Sequence, residues 1–160
     1  MDFGEKLRRA VDRGRERNAQ SKEEARAHEL NVEELKRLHS NYRLEISEYI
    51  EACVLKLVDH FPGFETEIVF GERGWGAAVA RDDLSLDRGH RTAKRSRFEI
   101  TVRPHTQLHV LDVAAKGTVH NKEIYQRQYF ERIEDVEKEQ FIERIDQWVI
   151  DYAELYASKV

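Results

Sequence analysis

The clearest strand pattern of the chain lies between Arg95 and Ala115. Phe98, Ile100 and Val102 alternate with polar residues, which is the period of a strand with one buried and one solvated face. Pro104 and its polar neighbours break the run, and a second β-rich run follows within a few residues. This pattern predicts a β-hairpin at the centre of an antiparallel sheet.

Two long helices are predicted, one before the strands and one after them. From Val32, apolar residues recur every three or four positions up to Phe61, where Pro62 and Gly63 end the pattern. This spacing predicts a core helix of about 30 residues. A second helix, capped by Asp135, is predicted near the end of the chain. Its apolar face, which we expect to be buried, comprises Phe141, Ile145, Trp148, Val149, Tyr152 and Leu155.

The remaining strands are predicted on either side of the central hairpin. Residues 65–70 and 75–81 flank a glycine-rich turn, and residues 119–130 are rich in large apolar side chains. Residues 82–94 have no periodicity and are predicted to form a long loop. The sequence therefore predicts an α+β fold: an antiparallel sheet of four to five strands with two long helices packed on one face, in the order α-β-β-β-β-(β)-α.

The first 20 residues are interpreted as a charged N-terminal arm, either disordered or helical, and residues 21–160 as a single α+β domain. Phe3, Leu7 and Val11 stand four apart and would form a thin apolar stripe on a helix, although Gly14 weakens that helix. A helical arm would dock on a partner or on a second subunit.

Composition narrows the classes of protein. The net charge of −4 does not fit a chain built as a whole to bind nucleic acid. The lone cysteine, Cys53, has apolar neighbours at helical spacing, which indicates a core thiol and excludes an intramolecular disulfide. No apolar run approaches the length of a membrane span, and the charged first residues lack a signal-peptide core, so we expect a soluble cytoplasmic protein.

A basic segment between residues 81 and 97 is the first candidate site. Its six cations outnumber three carboxylates, inside a chain that is acidic overall. Such a patch can contact phosphate groups or an acidic partner, although no aromatic side chain is interleaved as a stacking platform. The alternative is a solvated loop whose charges pair internally. The candidate polyanion- or partner-binding residues are Arg81, Arg88, Arg91, Lys94, Arg95 and Arg97.

Two further clusters are weaker candidates. Four histidines in or beside turns lack the spacing of a zinc site: His90, His105, His109 and His120. A metal-dependent hydrolase would use strand-end carboxylates, for which the chain offers Asp82, Asp83, Asp87, Glu99 and Asp112. The Glu-x-Lys pairing expected of many nucleases is missing. We therefore expect no catalytic residue, no metal and no cofactor.

The function predicted from the sequence is a non-catalytic interaction or regulatory protein of unknown partner. Four tyrosines on or beside the apolar stripes suit an interface between subunits, with plain core packing as the alternative, and a homodimer is expected: Tyr42, Tyr49, Tyr152 and Tyr156. The first alternative is a nucleic-acid-associated protein that uses the basic loop at residues 81–97 and the arginine-rich arm. The second alternative is the metal-dependent hydrolase.

Overall fold

The computed structural model describes residues 2–160, except for the side chains of Leu30 and Asp87. Its elements are helix α1 (Phe3–His60), strands β1 (Glu65–Val69), β2 (Trp75–Asp87), β3 (His90–Val102), β4 (Val110–Val119) and β5 (Lys122–Arg132), a 3₁₀ turn (Ile133–Asp135) and helix α2 (Lys138–Lys159). The chain divides into two compact units, one up to Arg37 and the other Leu38–Val160.

The predicted α+β class with an antiparallel sheet is confirmed. Each strand pairs antiparallel with the next along the chain, so the described residues form a five-stranded sheet in the order β1-β2-β3-β4-β5. The alternating stretch of residues 97–102 lies in β3, the middle strand. Phe98, Ile100 and Val102 are fully buried, which confirms the period-2 prediction.

Helix α2 covers one face of this sheet. The ring of Tyr152 stacks on Phe98 with 4.5 Å between centroids, and its hydroxyl donates a hydrogen bond of 2.8 Å to the carbonyl of Thr118. Gly117 makes room for this ring, because a Cβ at that position would lie 2.7 Å from Cδ1 of Tyr152. Trp148 is also buried, as its place in the middle of the apolar face predicts.

Within the second unit, α1 packs on the same face. Ile46, Ile50 and Val54 are buried at helical spacing, and the guanidinium of Arg43 lies 4.2 Å from the ring centre of Trp75 on β2. The helix ends just before Pro62, as predicted.

Helix α1 begins at Phe3, earlier than the periodicity indicates. The carboxylate of Asp2 accepts a hydrogen bond of 2.9 Å from the backbone N–H of Glu5, which caps the first turn. The segment from Phe3 to Arg37 is rich in alanine, arginine and glutamate, which have high helix propensity. Residues 3–20 of the expected arm are therefore helical, and Met1 lies outside the described residues.

Two local predictions are wrong. Residues 82–94 do not form a loop, because β2 and β3 continue through them and meet in a turn at Arg88 (φ 51°) and Gly89 (φ 82°). The pattern missed these strands because they have no buried face. Asp135 does not cap α2, which begins at Lys138 after Glu137, since Asp135 belongs to the preceding 3₁₀ turn.

Among the described residues, no helix combines the length and apolar character needed to cross a membrane.

Candidate functional site

The predicted basic loop is a two-stranded ribbon, residues 81–96, that extends the β2–β3 pair. Among the described residues, β1 pairs with β2 as far as Ala80, and β4 pairs with β3 from Arg97 onwards. Asn121, in the β4–β5 turn, extends the pairing along the ribbon. Its side-chain carbonyl accepts from the N–H of Arg95 at 2.9 Å, and its amide donates to the carbonyl of Ala93 at 3.0 Å. The tip of the ribbon, residues 84–92, extends beyond the contacts with Asn121.

Three of the six predicted cations are paired within the fold. The guanidinium of Arg81 donates hydrogen bonds of 2.8 Å to Asp83 and of 2.8 Å to the carbonyl of Pro62. The hydrogen bond to Asp83 raises the pKa of Arg81. Arg95 spans both oxygens of Asp82 at 3.1 and 3.2 Å. These contacts hold the base of the ribbon in place, so both arginines have a structural role that requires no binding partner.

Arg97, the third of the paired cations, lies on the central strand. Its Nη1 is 2.8 Å from Glu99 Oε2, and its Nη2 is 3.5 Å from Glu67 Oε2. The other three cations, Arg88, Arg91 and Lys94, form no ion pair with any side chain that the structure describes. The structure therefore divides the six predicted residues into a paired base and an unpaired outer half.

The tip of the ribbon also carries two leucines that the sequence analysis did not single out. Leu84 and Leu86 are 75% and 77% exposed, and they stand two apart on one strand and so on one face. Arg91 is directly opposite Leu86 in the register. Their alternation with polar residues was the available signal, but without a buried partner strand it is too short to separate from a loop.

The fold brings two of the four candidate histidines together and places the other two elsewhere. His105 and His109 lie together in the β3–β4 connection with 3.0 Å between ring nitrogens, whereas His90 is at the ribbon tip and His120 is 4.0 Å from Asp83. In the described part of the chain, no group of three or more histidine, cysteine, aspartate or glutamate side chains is placed to hold a metal ion.

A fifth histidine, His39 of α1, joins this pair. Its ring centre is 5.4 Å from that of His105, and its side chain is almost fully buried. Burial, together with the charge that His105 would carry, lowers the pKa of His39 from 6.5 to about 4. Its position on a buried helix face was readable from the sequence, but its partners come from a distant loop.

The carboxylates proposed for a metal-dependent hydrolase are occupied by other groups. Asp82 and Asp83 bind arginines, and Asp112 accepts two hydrogen bonds, at 2.8 and 3.0 Å, from the amide of Gln128. Glu99 faces Arg97, and the side chain of Asp87 lies outside the described residues. Each described carboxylate therefore has its own cation or amide donor, and the set does not converge on one point.

An apolar groove of about 480 Å³ runs between α1 and α2. Ile150, 57% exposed, contributes to its lining together with Leu57 and Val149. At one side the Tyr49 hydroxyl donates a hydrogen bond to Asp146, which raises the pKa of Tyr49. The groove helices are acidic: residues 38–60 and 138–159 together contain five lysines and arginines against nine carboxylates.

The thiol of Cys53 also borders this groove. It is buried, as predicted, and its Sγ lies 3.6 Å from Asp146 Oδ1. Burial is the largest cause that raises the pKa of this thiol. A protonated, buried thiol is a poor nucleophile, so the geometry gives Cys53 a packing role.

The helical segment Phe3–Arg37 is exposed over most of its length. Every described residue from Asp2 to Glu29 is exposed, including the apolar stripe of Phe3, Leu7 and Val11. Residues 2–17 contain six lysines and arginines against four carboxylates. An exposed apolar stripe with a basic border is typical of a helix that binds into a groove.

Comparison with known proteins gives no relative for this chain: no protein-family profile, no curated protein and no solved structure matches it.

Proposed function

We propose that this chain is a non-catalytic interaction protein that self-associates, with the N-terminal helix of one copy bound in the α1–α2 groove of another. The observation that carries the proposal is the exposed stripe of Phe3, Leu7 and Val11 on a helix whose described residues up to Glu29 are all exposed. Most of the stability of a helix in a protein comes from packing of an apolar face, so this stripe favours a bound state.

Charge supports a second copy as the occupant of the groove. The helices that form the groove have a surplus of four carboxylates, whereas residues 2–17 have a surplus of two cations. Opposite net charges steer the two surfaces together and disfavour pairing of two basic arms with each other. Reciprocal insertion of two arms would close a two-fold dimer, the commonest symmetry of soluble oligomers.

The anchor spacing supports the same arrangement. Residues at i, i+4 and i+8 lie along one side of a helix, and a groove can enclose that side on two walls. Ile150 on α2 and Ala52 on α1 supply exposed apolar surface on the two walls. A flat helix-to-helix contact of three side chains would bury much less than the area that a stable interface needs.

Sedimentation equilibrium at micromolar concentration tests self-association, with Leu7→Ser as the disrupting variant. Removing a leucine from an apolar contact should weaken the dimer by roughly 10- to 100-fold. Arg9→Ser is the matched control, because residue 9 lies about 200° around the helix from residue 7. It should change the dissociation constant by less than about threefold. A monomer at every concentration would overturn the proposal.

Disulfide trapping tests the binding mode separately. In a Cys53→Ala background, a Leu7→Cys protein is mixed with an Ile150→Cys protein, and Arg9→Cys replaces Leu7→Cys in the control. An intermolecular disulfide that forms with the cysteine at position 7 and not at position 9 supports the arm in the groove. A dimer that gives equal yields for both would keep self-association and exclude this mode.

A second candidate function rests on the ribbon tip. Arg88 and Arg91 are exposed and Lys94 is half-buried, and none of the three has an ionic partner among the described side chains. A two-stranded ribbon is a known shape for entering a groove of DNA. Two exposed leucines beside these cations are the kind of side chain that wedges between base steps. The salt dependence of binding to duplex DNA tests this candidate function.

A further inference from the structure

The sheet face opposite the helices holds a polar trough of about 350 Å³. Four cations and one carboxylate contribute to it, so its lining is net positive. The lining includes Arg73, Glu99, Thr101, Arg103, Lys116 and Gln128.

Small residues on the neighbouring strands leave space for the trough. Gly76 of β2 and Ala114 of β4 flank Thr101 in the register, and Ala78 is paired with Glu99. At Gly76 a Cβ would lie 2.0 Å from the carbonyl oxygen of Ile100, so the strand approach excludes any side chain there. Thr101 is 5% exposed and forms part of the floor.

The floor also contains an acceptor whose hydrogen-bonding capacity is unmet. Glu99 Oε2 is shielded from solvent and accepts no hydrogen bond from a residue that the structure describes. Arg97 Nη1 is 2.8 Å away and Arg73 Nη2 is 3.8 Å away, so the charge is balanced although the hydrogen-bond geometry is not satisfied. Because solvent does not reach this oxygen, Glu99 contributes negative charge and its contacts with Arg97 and Arg73 to the floor, and the acceptors open to a ligand lie on the rim.

The rim supplies cations for an anionic group. Lys116 is exposed, and its ion pair with Glu123 spans 3.7 Å, a weak contact that an incoming anion can replace. Arg103 is exposed and has no ion pair with a described side chain. The Gln128 amide nitrogen is held by both oxygens of Asp112, which leaves its carbonyl oxygen as an acceptor.

We propose that this trough binds a small hydrophilic anion, a phosphate or carboxylate ester or acid that also carries hydroxyl groups. Arg103 and Lys116 bind the anionic group, and the side-chain carbonyl oxygen of Gln128 accepts a hydrogen bond from a ligand hydroxyl. A hydroxyl-rich molecule fits better than an apolar one, because the trough offers polar atoms on its floor and on its rim. This binding is independent of the self-association proposed above.

Titration by NMR of the ¹⁵N-labelled full chain tests the site with four probes. Glucose 6-phosphate and citrate combine an anionic group with hydroxyls, inorganic phosphate lacks carbon-bound hydroxyls, and glucose lacks the charge. We expect saturable shifts at residues 99–103 and 114–116 with at least one of the first two, and at least about fivefold weaker binding of phosphate and glucose. Which of the first two binds more tightly identifies the anionic group as phosphate or carboxylate.

Two variants and a control make the result specific. Arg103→Gln and Lys116→Gln should each weaken binding of the better probe by about fivefold or more, since each removes a charge-assisted contact. Lys122→Gln, at the exposed start of β5 outside the trough, should leave the dissociation constant within about twofold. The proposal is overturned if neither hydroxylated anion shifts the trough residues, or if all three variants bind alike.

Discussion

The two faces of the sheet are built from the same strands and differ in almost every physical respect. On β3, Phe98 and Ile100 point to the helices and are fully buried, whereas Arg97 and Glu99, their neighbours in sequence, form an ion pair on the opposite face. Alternation of this kind separates two tasks within one strand. The covered face holds the molecule together, and the open face carries charged and polar side chains.

The comparison also explains where stability should reside. Apolar burial is the dominant favourable term in folding, and exposed ion pairs contribute little. Loss of the ring contact between Tyr152 and Phe98 should therefore destabilise the fold strongly. The open face contains ion pairs such as Lys116–Glu123 at 3.7 Å, which should tolerate change.

The largest effect is expected from Phe98→Ala. Loss of the transfer free energy and the cavity left under Tyr152 should lower the free energy of unfolding by about 3–5 kcal/mol. Lys116→Ala, on the open face of the neighbouring strand, is the matched control and should cost less than about 1 kcal/mol. Urea denaturation measures both. Similar losses for the two variants would mean that the faces do not divide stability as argued.

The second effect concerns the one buried histidine on the covered side, His39. Its folded pKa of about 4 lies below the unfolded value of 6.5, so the unfolded state takes up a proton first as the pH falls. The stabilisation of the fold by the neutral His39 imidazole is fully present above about pH 7 and is lost as the pH falls from 6.5 to about 4. Burial is the first cause, and the positive charges of His105 and Arg43 add to it, against a hydrogen bond to the backbone of Arg103 that acts in the opposite direction.

Unfolding free energies of the wild type and His39→Gln at pH 7.5 and 4.5 test this effect. The wild type should lose about 2–3 kcal/mol more than the variant over that interval, because the variant cannot be protonated at position 39. His105 and His109 stay in both proteins, so the difference reports the loss of the His39 imidazole together with its interaction with His105. His90→Gln, at the exposed ribbon tip, should follow the wild type. Equal pH dependence of wild type and His39→Gln would contradict the lowered pKa.

Sequence reasoning succeeded where one face of an element is buried and failed where none is. The alternation around Ile100 and the stripe through Trp148 each record a covered face, and both were read correctly from spacing alone. Residues 82–94 form strands without a buried face, so their apolar pattern is too weak to find. Helix α1 before Val32 has high helix propensity but few apolar residues, so periodicity placed its start too late.

The candidate sites show the same division more strongly. The six cations of residues 81–97 were found by counting, but the count could not show that Arg81 and Arg95 have carboxylate partners. Asp83 lies two residues from Arg81 on the same strand, and Asp82 faces Arg95 across the strand pair, so both pairings depend on residues that the sequence analysis assigned to a loop. The cluster of His39 with His105 likewise depends on a contact between a helix and a distant connection.

The smallest effect on stability, and the test of the second candidate function, is expected from replacing Arg88, Arg91 and Lys94 together with alanine. Because none of the three is paired with a described side chain, the free energy of unfolding should change by less than about 0.5 kcal/mol.

If the ribbon binds duplex DNA, each neutralised phosphate releases condensed counterions, so the variant should flatten the slope of log K against log salt by up to about 0.9 per residue, or about 2.7 in total. Arg95→Ala is the contrasting variant, because its guanidinium is held by Asp82 and should contribute less to the slope. Fluorescence anisotropy with a labelled duplex across a salt series measures both quantities. No binding by the wild type at low salt would exclude the nucleic-acid function, and binding that survives the triple change would move the site to the arginine-rich segment of residues 8–17. A flattened slope together with unchanged stability would place function at the ribbon tip, on a part of the sheet that contributes almost nothing to holding the fold together.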